Sequence, residues 1–161
     1  MVLEKSENLD NLYKLFGVCA HHCSNIEYRI AYLLQPAIWN RHRESLDSRK
    51  KDMQNCSIEE WNAVSKNLDE VLDKVAQDID SLYNLSLGSL IKQVKNNHPL
   101  TDEQGKYLEE ILGKRNYVIH KMWGKYGRRL ESQEVVKEML GELREYEQYL
   151  RSASNWLQRI N

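Results

Sequence analysis

Only two prolines and seven glycines occur among the 161 residues of this chain. Because these two residue types end or weaken helices, their scarcity lets long stretches stay helical without interruption. Apolar residues recur at steps of three and four, and no segment alternates with the two-residue period of a strand. The sequence therefore predicts an all-α fold: an antiparallel up-down bundle of four long helices plus one or two short ones, in a single domain over residues 1–161.

The charge balance and the cysteine pattern limit the classes of partner and compartment. A net charge of −1 argues against a protein that coats nucleic acid through overall basicity, although an enzyme with a local basic rim needs only a few phosphate contacts. The sequence contains no run of about 18 apolar residues, so it predicts no membrane span. The N-terminal segment carries acidic residues early and does not have the pattern of a secretory signal. Cys19, Cys23 and Cys56 lack the spacing of a disulfide framework. We therefore expect a cytoplasmic protein with no membrane partner.

Start and stop signals place the helices along the chain. Apolar periodicity predicts a first helix from Ser6 to about Leu34, which Pro36 ends or redirects, and a shorter amphipathic segment from about Ala37 to Arg49. The basic runs at 41–43 and 49–51 then form either an exposed loop or a docking surface for RNA.

Two capping boxes predict the starts of later helices. Ser57-Ile58-Glu59-Glu60 opens one helix, with Ser57 as its N-cap, and Thr101-Asp102-Glu103-Gln104 opens another that runs to about Trp123. The last helix begins near Ser132.

Two polar features of the helix that begins at Thr101 set it apart from the others. Arg115 falls inside the apolar stripe, where a guanidinium must either meet an acidic partner or line a cleft open to the surface. A second stripe along the surface of this helix, within about 80° of arc, contains Gly113, Asn116, His120 and Gly124. We interpret this stripe as the floor of a groove that another helix or a ligand approaches closely.

The segment Arg115-Asn116-Tyr117-Val118-Ile119-His120 resembles the R-x(4–6)-H motif of the HEPN superfamily, and Ser86-Leu87-Gly88-Ser89-Leu90-Ile91 resembles a segment upstream of it in several members. The resemblance implies a metal-independent endoribonuclease that dimerises so that two motifs face a shared cleft. It also implies a toxin or phage-defence component, although other members only bind. Some members have a nucleotidyltransferase antitoxin that modifies a tyrosine two residues after the motif histidine, where this chain has Met122.

The chemistry of RNA cleavage assigns catalytic roles to three motif residues. Imidazoles as a class titrate near neutral pH, so the residue type of His120 suits proton transfer. Arg115 can stabilise charge on phosphoryl oxygens, and Asn116 can orient the imidazole or hold a phosphate. A regular helix, however, places Arg115 and His120 about 140° apart. Their cooperation needs the reach of arginine, a local distortion or a second subunit. We favour the second subunit, in a composite site at a homodimer interface.

Basic residues around the motif form a predicted RNA-binding rim. The rim residues are Lys114, Lys121, Lys125, Arg128 and Arg129, of which the three lysines are the predicted RNA contacts.

Alternatives to this function and to a metal-free site remain open at this stage. Cys19, His22 and Cys23 share a helical face, but no second pair of ligands is near enough in sequence to complete a zinc site. We expect no metal and no cofactor. The rival function is a non-catalytic HEPN-like scaffold that binds a nucleotide or a protein, and a third possibility is a partner-recognition bundle with no role on nucleic acid.

Overall fold

A computed structural model describes the backbone of residues 2–160 and the side chains of residues 7–160. The described residues form helices joined by short turns, with no β-strand, so the all-α prediction is confirmed. A π-helical turn, Tyr117–Lys121, joins α4 to α5, and Gly127–Arg129 forms a 3-10 turn before the last helix. The α-helices are α1 (Val2–Asn55), α2 (Trp61–Leu82), α3 (Leu87–Asn97), α4 (Asp102–Asn116), α5 (Met122–Tyr126) and α6 (Gln133–Leu157).

Helix α1 continues through Pro36 to Asn55, so the predicted end at Pro36 is wrong. Proline removes one backbone hydrogen bond and crowds the preceding turn. That local penalty is outweighed because Leu34 and Ile38, on either side of the proline, are both buried. The basic runs at 41–43 and 49–51 therefore lie on a helix and not in a loop.

The two predicted capping boxes have different outcomes. At the start of α4 the Thr101 hydroxyl accepts a hydrogen bond from the Gln104 N–H (3.2 Å), and the Gln104 side chain accepts one from the Thr101 N–H (2.8 Å). This box is confirmed. The Glu60 carboxylate also accepts from the Ser57 N–H at 3.0 Å, but α2 begins only at Trp61. The predicted helix start at Ser57 is wrong, because this bond closes a turn that precedes the helix.

The chain divides into two compact units, and α1 contributes residues to both. We call Ala31–His98 the hairpin unit, and Met1–Ile30 together with Pro99–Asn161 the motif unit. None of the helices in the described part of the chain has the length and apolarity that crossing a membrane requires.

In the hairpin unit, the second half of α1 and helix α2 run antiparallel. Gln35 Nε2 donates to Tyr83 Oη at 2.9 Å, and His42 Nε2 lies 2.9 Å from Asp78 Oδ2. Residue numbers therefore rise along α1 while they fall along α2, and the two helices form a hairpin.

In the motif unit, α1 and α6 run parallel to each other. Cys19 Sγ donates to the Leu143 carbonyl at 3.6 Å, and further along both helices Arg29 Nε donates to Ser154 Oγ at 3.2 Å. The segment from α4 to α5 runs antiparallel to both helices and adds apolar side chains to a common core. Fully buried members of this core are Leu12, Ile26, Leu108, Ile111, Val118, Met122, Met139 and Leu143.

Candidate functional site

A π-helical turn lies at the centre of the predicted motif. The Met122 N–H donates to the Tyr117 carbonyl, five residues earlier, where an α-helix would use a carbonyl four residues earlier. In such a widened turn, residues five apart lie about one turn from each other and so share a face. The turn brings Arg115 and His120 together within one chain. The local distortion, which the sequence left as an alternative to a second subunit, is therefore present.

Arg115 contacts both of the other predicted catalytic side chains. Its Nη1 lies 3.0 Å from His120 Nε2 and donates to Asn116 Oδ1 at 3.1 Å. Because a guanidinium can only donate, Nε2 must accept, and the imidazole in this arrangement is neutral with its hydrogen on Nδ1. His120 is exposed, whereas only 20% of the Arg115 side chain is accessible. A neutral imidazole is thus presented to solvent beside a largely covered cation.

Glu27, on α1, is a member of the site that the sequence analysis did not identify. Arg115 Nη2 donates to Glu27 Oε1 at 2.5 Å, and 31% of the Glu27 side chain is accessible. The acidic partner expected for a guanidinium in an apolar stripe therefore exists. The only sequence signal was an acid directly after the buried Ile26, 88 positions away from Arg115. Glu27 neutralises Arg115 and fixes its orientation.

Comparisons with known proteins do not extend this picture. Neither a family model, nor a curated protein, nor a solved structure matches this chain. The HEPN resemblance therefore depends on the motif from Arg115 to His120 and on its helical setting.

Helix α1 carries two buried thiols, of which Cys23 is close enough to Arg115 and Glu27 to feel both charges. Burial raises the pKa of Cys23 to about 11, and the charge of Arg115 partly opposes that rise. Burial likewise raises the pKa of Cys19 to about 12, reinforced by Cys23. Both thiols therefore stay protonated at neutral pH and behave as small apolar side chains.

The side chain of His22, which shares a helical face with these cysteines, is engaged elsewhere. His22 Nε2 lies 3.4 Å from Glu147 Oε1. Within the described chain, no three or more His, Cys, Asp or Glu side chains are grouped so that they could hold a metal ion.

The three predicted RNA-binding lysines have different surroundings. Lys114 Nζ lies above the rings of Tyr146 and Tyr149, at 5.4 and 5.3 Å from their centroids. Lys121 is exposed and forms no ion pair with another described residue. Lys125 Nζ donates to the Glu142 carboxylate at 3.0 Å.

The pKa of Lys125 is raised, first by its hydrogen bond with Tyr126 and then by the one with Glu142. Of the three lysines, Lys121 is thus the one that a phosphate reaches without displacing a partner.

The glycines of the segment from α4 to α5 are open to solvent. Gly113 and Gly124 are both exposed, and a methyl group added at either would meet no described atom within 4 Å. The close approach expected at these glycines does not occur among the described residues.

Proposed function

We propose that this protein is a metal-independent endoribonuclease of HEPN type, with Arg115, Asn116 and His120 as its catalytic residues and Glu27 as a positioning residue. One observation carries the proposal: the exposed His120 imidazole lies 3.0 Å from a guanidinium that is held in place by a carboxylate. The pair combines a proton acceptor with a fixed positive charge, and RNA cleavage without a metal needs both.

The reaction begins when a phosphate of RNA enters beside the pair. Arg115 Nη1 moves its hydrogen bond from His120 to a phosphoryl oxygen, which frees Nε2 to take the proton of the 2′-hydroxyl. The 2′-oxygen then bonds to phosphorus, the bond to the 5′-oxygen breaks, and the products are a 2′,3′-cyclic phosphate and a 5′-hydroxyl. Arg115 stabilises the negative charge that develops on phosphorus, while Asn116 keeps the guanidinium aimed at it.

The departing 5′-oxygen needs a proton, and a second imidazole supplies it. In the proposed homodimer two motifs face one cleft, so that one His120 accepts a proton while the partner's His120, protonated on both ring nitrogens and released from its own arginine, donates one. The open surface at Gly113 and Gly124 supports this arrangement, because no side chain there obstructs a second copy. Lys121 attracts the phosphates directly, and Lys114 and Lys125 add positive charge nearby.

The motif unit is proposed to be part of an antiparallel bundle in a cytoplasmic toxin or phage-defence protein. If an antitoxin partner exists, it controls this chain by contact and not by tyrosine modification. Support for this view comes from Met122, which occupies the position of the modified tyrosine and is fully buried.

A non-catalytic HEPN-like scaffold is the second candidate. The observation that favours it is the Arg115–Glu27 ion pair, since a guanidinium already neutralised by a carboxylate can serve stability alone. In that case the cluster fixes the helices, and the surface around His120 binds a nucleotide or a protein without cleaving RNA.

Incubation of the purified protein with tRNA and mRNA in EDTA tests the two functions. The wild type is expected to produce fragments that end in 2′,3′-cyclic phosphate, and His120→Ala is expected to produce none. His21→Ala is the matched control, because His21 is exposed and, among the described residues, its hydrogen-bond and ring partners are Asn25 and His22. Equal inertness of wild type and His120→Ala would instead support the scaffold, and cleavage that EDTA abolishes would refute the metal-independent mechanism.

A further inference from the structure

One side of the α1–α2 hairpin carries large apolar side chains that the described chain leaves exposed. Trp39 on α1 and both Trp61 and Leu72 on α2 are 44%, 48% and 39% accessible. At 100° per residue these positions turn toward the same side of the antiparallel pair. Helix α3 packs on the other side, where residues of α1, α2 and α3 line a cavity of about 310 Å³. We call the uncovered side the open face of the hairpin.

The α1 side of the open face is concave. A shallow cavity of about 230 Å³ lies along α1 and is large enough to admit an apolar side chain from another molecule. Its lining residues are Trp39, Arg43, Leu46, Asp47 and Lys50.

The two edges of the open face carry opposite charge. On the α1 edge are Arg43 and Lys50, with Asp47 between them, and on the α2 edge are Asp69, Asp73 and Asp80. All six side chains are exposed, and none forms an ion pair with another described residue. An apolar centre between a mainly basic edge and an acidic edge is complementary to a copy of itself turned by half a rotation.

We propose that the open face binds the same face of a second copy of this chain, about a two-fold axis parallel to the hairpin helices. In this arrangement α1 of each copy lies against α2 of its partner, and the four helices form a bundle in which all neighbours are antiparallel. A two-fold axis perpendicular to the helices would instead place basic edge against basic edge. The charges therefore select the first arrangement.

The register follows from the contacts inside the hairpin. Along the helix axis, His42 lies at the same height as Asp78, and Gln35 at the same height as Tyr83. Rotation about a two-fold axis parallel to the helices does not change these heights, so the same residues of α1 and α2 are at equal height between copies. Lys50 then faces Asp69 of the partner subunit, and the cavity around Leu46 receives Leu72 of the partner subunit.

This inference goes beyond the proposed function, because the open face belongs to the hairpin unit and its pairing needs neither the motif nor RNA. Pairing is measured on the protein alone, without RNA. A dimeric chain that does not cleave RNA overturns the proposed function alone. A monomeric chain that cleaves RNA overturns the pairing, and with it the second imidazole as proton donor, but leaves the ribonuclease activity standing.

Analytical ultracentrifugation of the full chain tests the pairing. We expect a dimer whose dissociation constant rises with salt, and at least about a tenfold rise for Leu72→Asp. Lys74→Glu is the matched control, since this exposed charge on α2 lies about 160° around the helix from Leu72 and its reversal should change nothing. Circular dichroism melts check that each variant folds. A wild type that stays monomeric at all concentrations, or a dimer that Leu72→Asp leaves unchanged, would overturn the proposal.

A charge exchange tests the register. Lys50→Asp is expected to weaken the dimer about tenfold, and adding Asp69→Lys in the same chain is expected to restore it, because both symmetric pairs are then reversed. If Leu72→Asp weakens the dimer but the double charge variant does not recover, α1 does not lie against the partner's α2 and the proposed axis is wrong.

Discussion

Arg115 contacts Glu27, Asn116 and His120 at once, and these contacts make its guanidinium the residue on which the site depends. A lysine at this position has the charge but not the planar set of donors, and so could not hold all three partners. In the proposed mechanism, Glu27 and an incoming phosphate compete for this guanidinium, and that competition would set how tightly RNA binds.

The substitution Glu27→Gln separates binding from catalysis. The glutamine amide would keep an acceptor for Arg115 but remove the opposing charge, so we expect the KM for RNA to fall severalfold while kcat changes by less than about tenfold. Steady-state cleavage of a short fluorescent RNA measures both constants. An unchanged KM would mean that Glu27 does not restrain Arg115 from phosphate.

The buried thiol of Cys23 predicts how stability depends on alkaline pH. Its pKa rises from 9.0 to about 11 on folding, so the unfolded chain loses this proton first and the folded state loses stability as the pH rises from about 9 to about 11. Cys23→Ala should therefore show a flatter decline in the free energy of unfolding over that range, measured by urea denaturation. Cys56→Ala, at a half-exposed thiol, should decline as the wild type does. Equal slopes for all three proteins would contradict the assignment.

At the scale of helices, local signals could be predicted and long-range compensation could not. The Thr101–Gln104 box was predictable because its donors and acceptors are three residues apart. The continuation of α1 through Pro36 was not, because burial on both sides of the proline outweighs a local penalty. Glu27 was not identified for a related reason: its contact with Arg115 joins distant parts of the chain and depends on how the helices pack.

The π-helical turn predicts an unusual tolerance to deletion. Removing the half-buried Ile119 would let the widened turn become an ordinary α-helical one, with Arg and His four apart and still on one face. We expect this variant to fold, with a loss of stability below about 3 kcal/mol and with residual cleavage.

The matched control is deletion of Arg144, an exposed residue in the regular helix α6. That deletion rotates every later residue by about 100° relative to the core and should prevent folding. Thermal unfolding monitored by circular dichroism compares the stability of the two deletion variants. If Ile119 deletion is as damaging as Arg144 deletion, the turn is not an isolated one-residue widening.

At the scale of the whole molecule, the proposed mechanism makes two chains depend on each other. Each chain holds its own Arg115–His120 contact, yet the reaction uses one imidazole to accept a proton and another to donate one. Because the chain has a net charge of only −1, the proposed activity would depend on this local chemistry and not on general attraction to nucleic acid.

Mixing wild-type and His120→Ala chains measures this dependence. If both imidazoles of a dimer are needed, activity follows the square of the wild-type fraction, and an equal mixture retains about a quarter of it once subunits have exchanged. A linear decline, to about a half, would show that one chain suffices and that its proton donor is water or another residue of the same chain.

The widened turn at Tyr117–Lys121 also suggests how such a pair can arise. One inserted codon in an ancestral helix, absorbed locally, would leave the downstream core in place while changing which side chain stands beside the arginine. The number of residues between the arginine and the histidine would then differ among descendants, although the two side chains would meet at the same point in space. A search for related sites should accordingly compare distances between functional atoms and not the number of intervening letters.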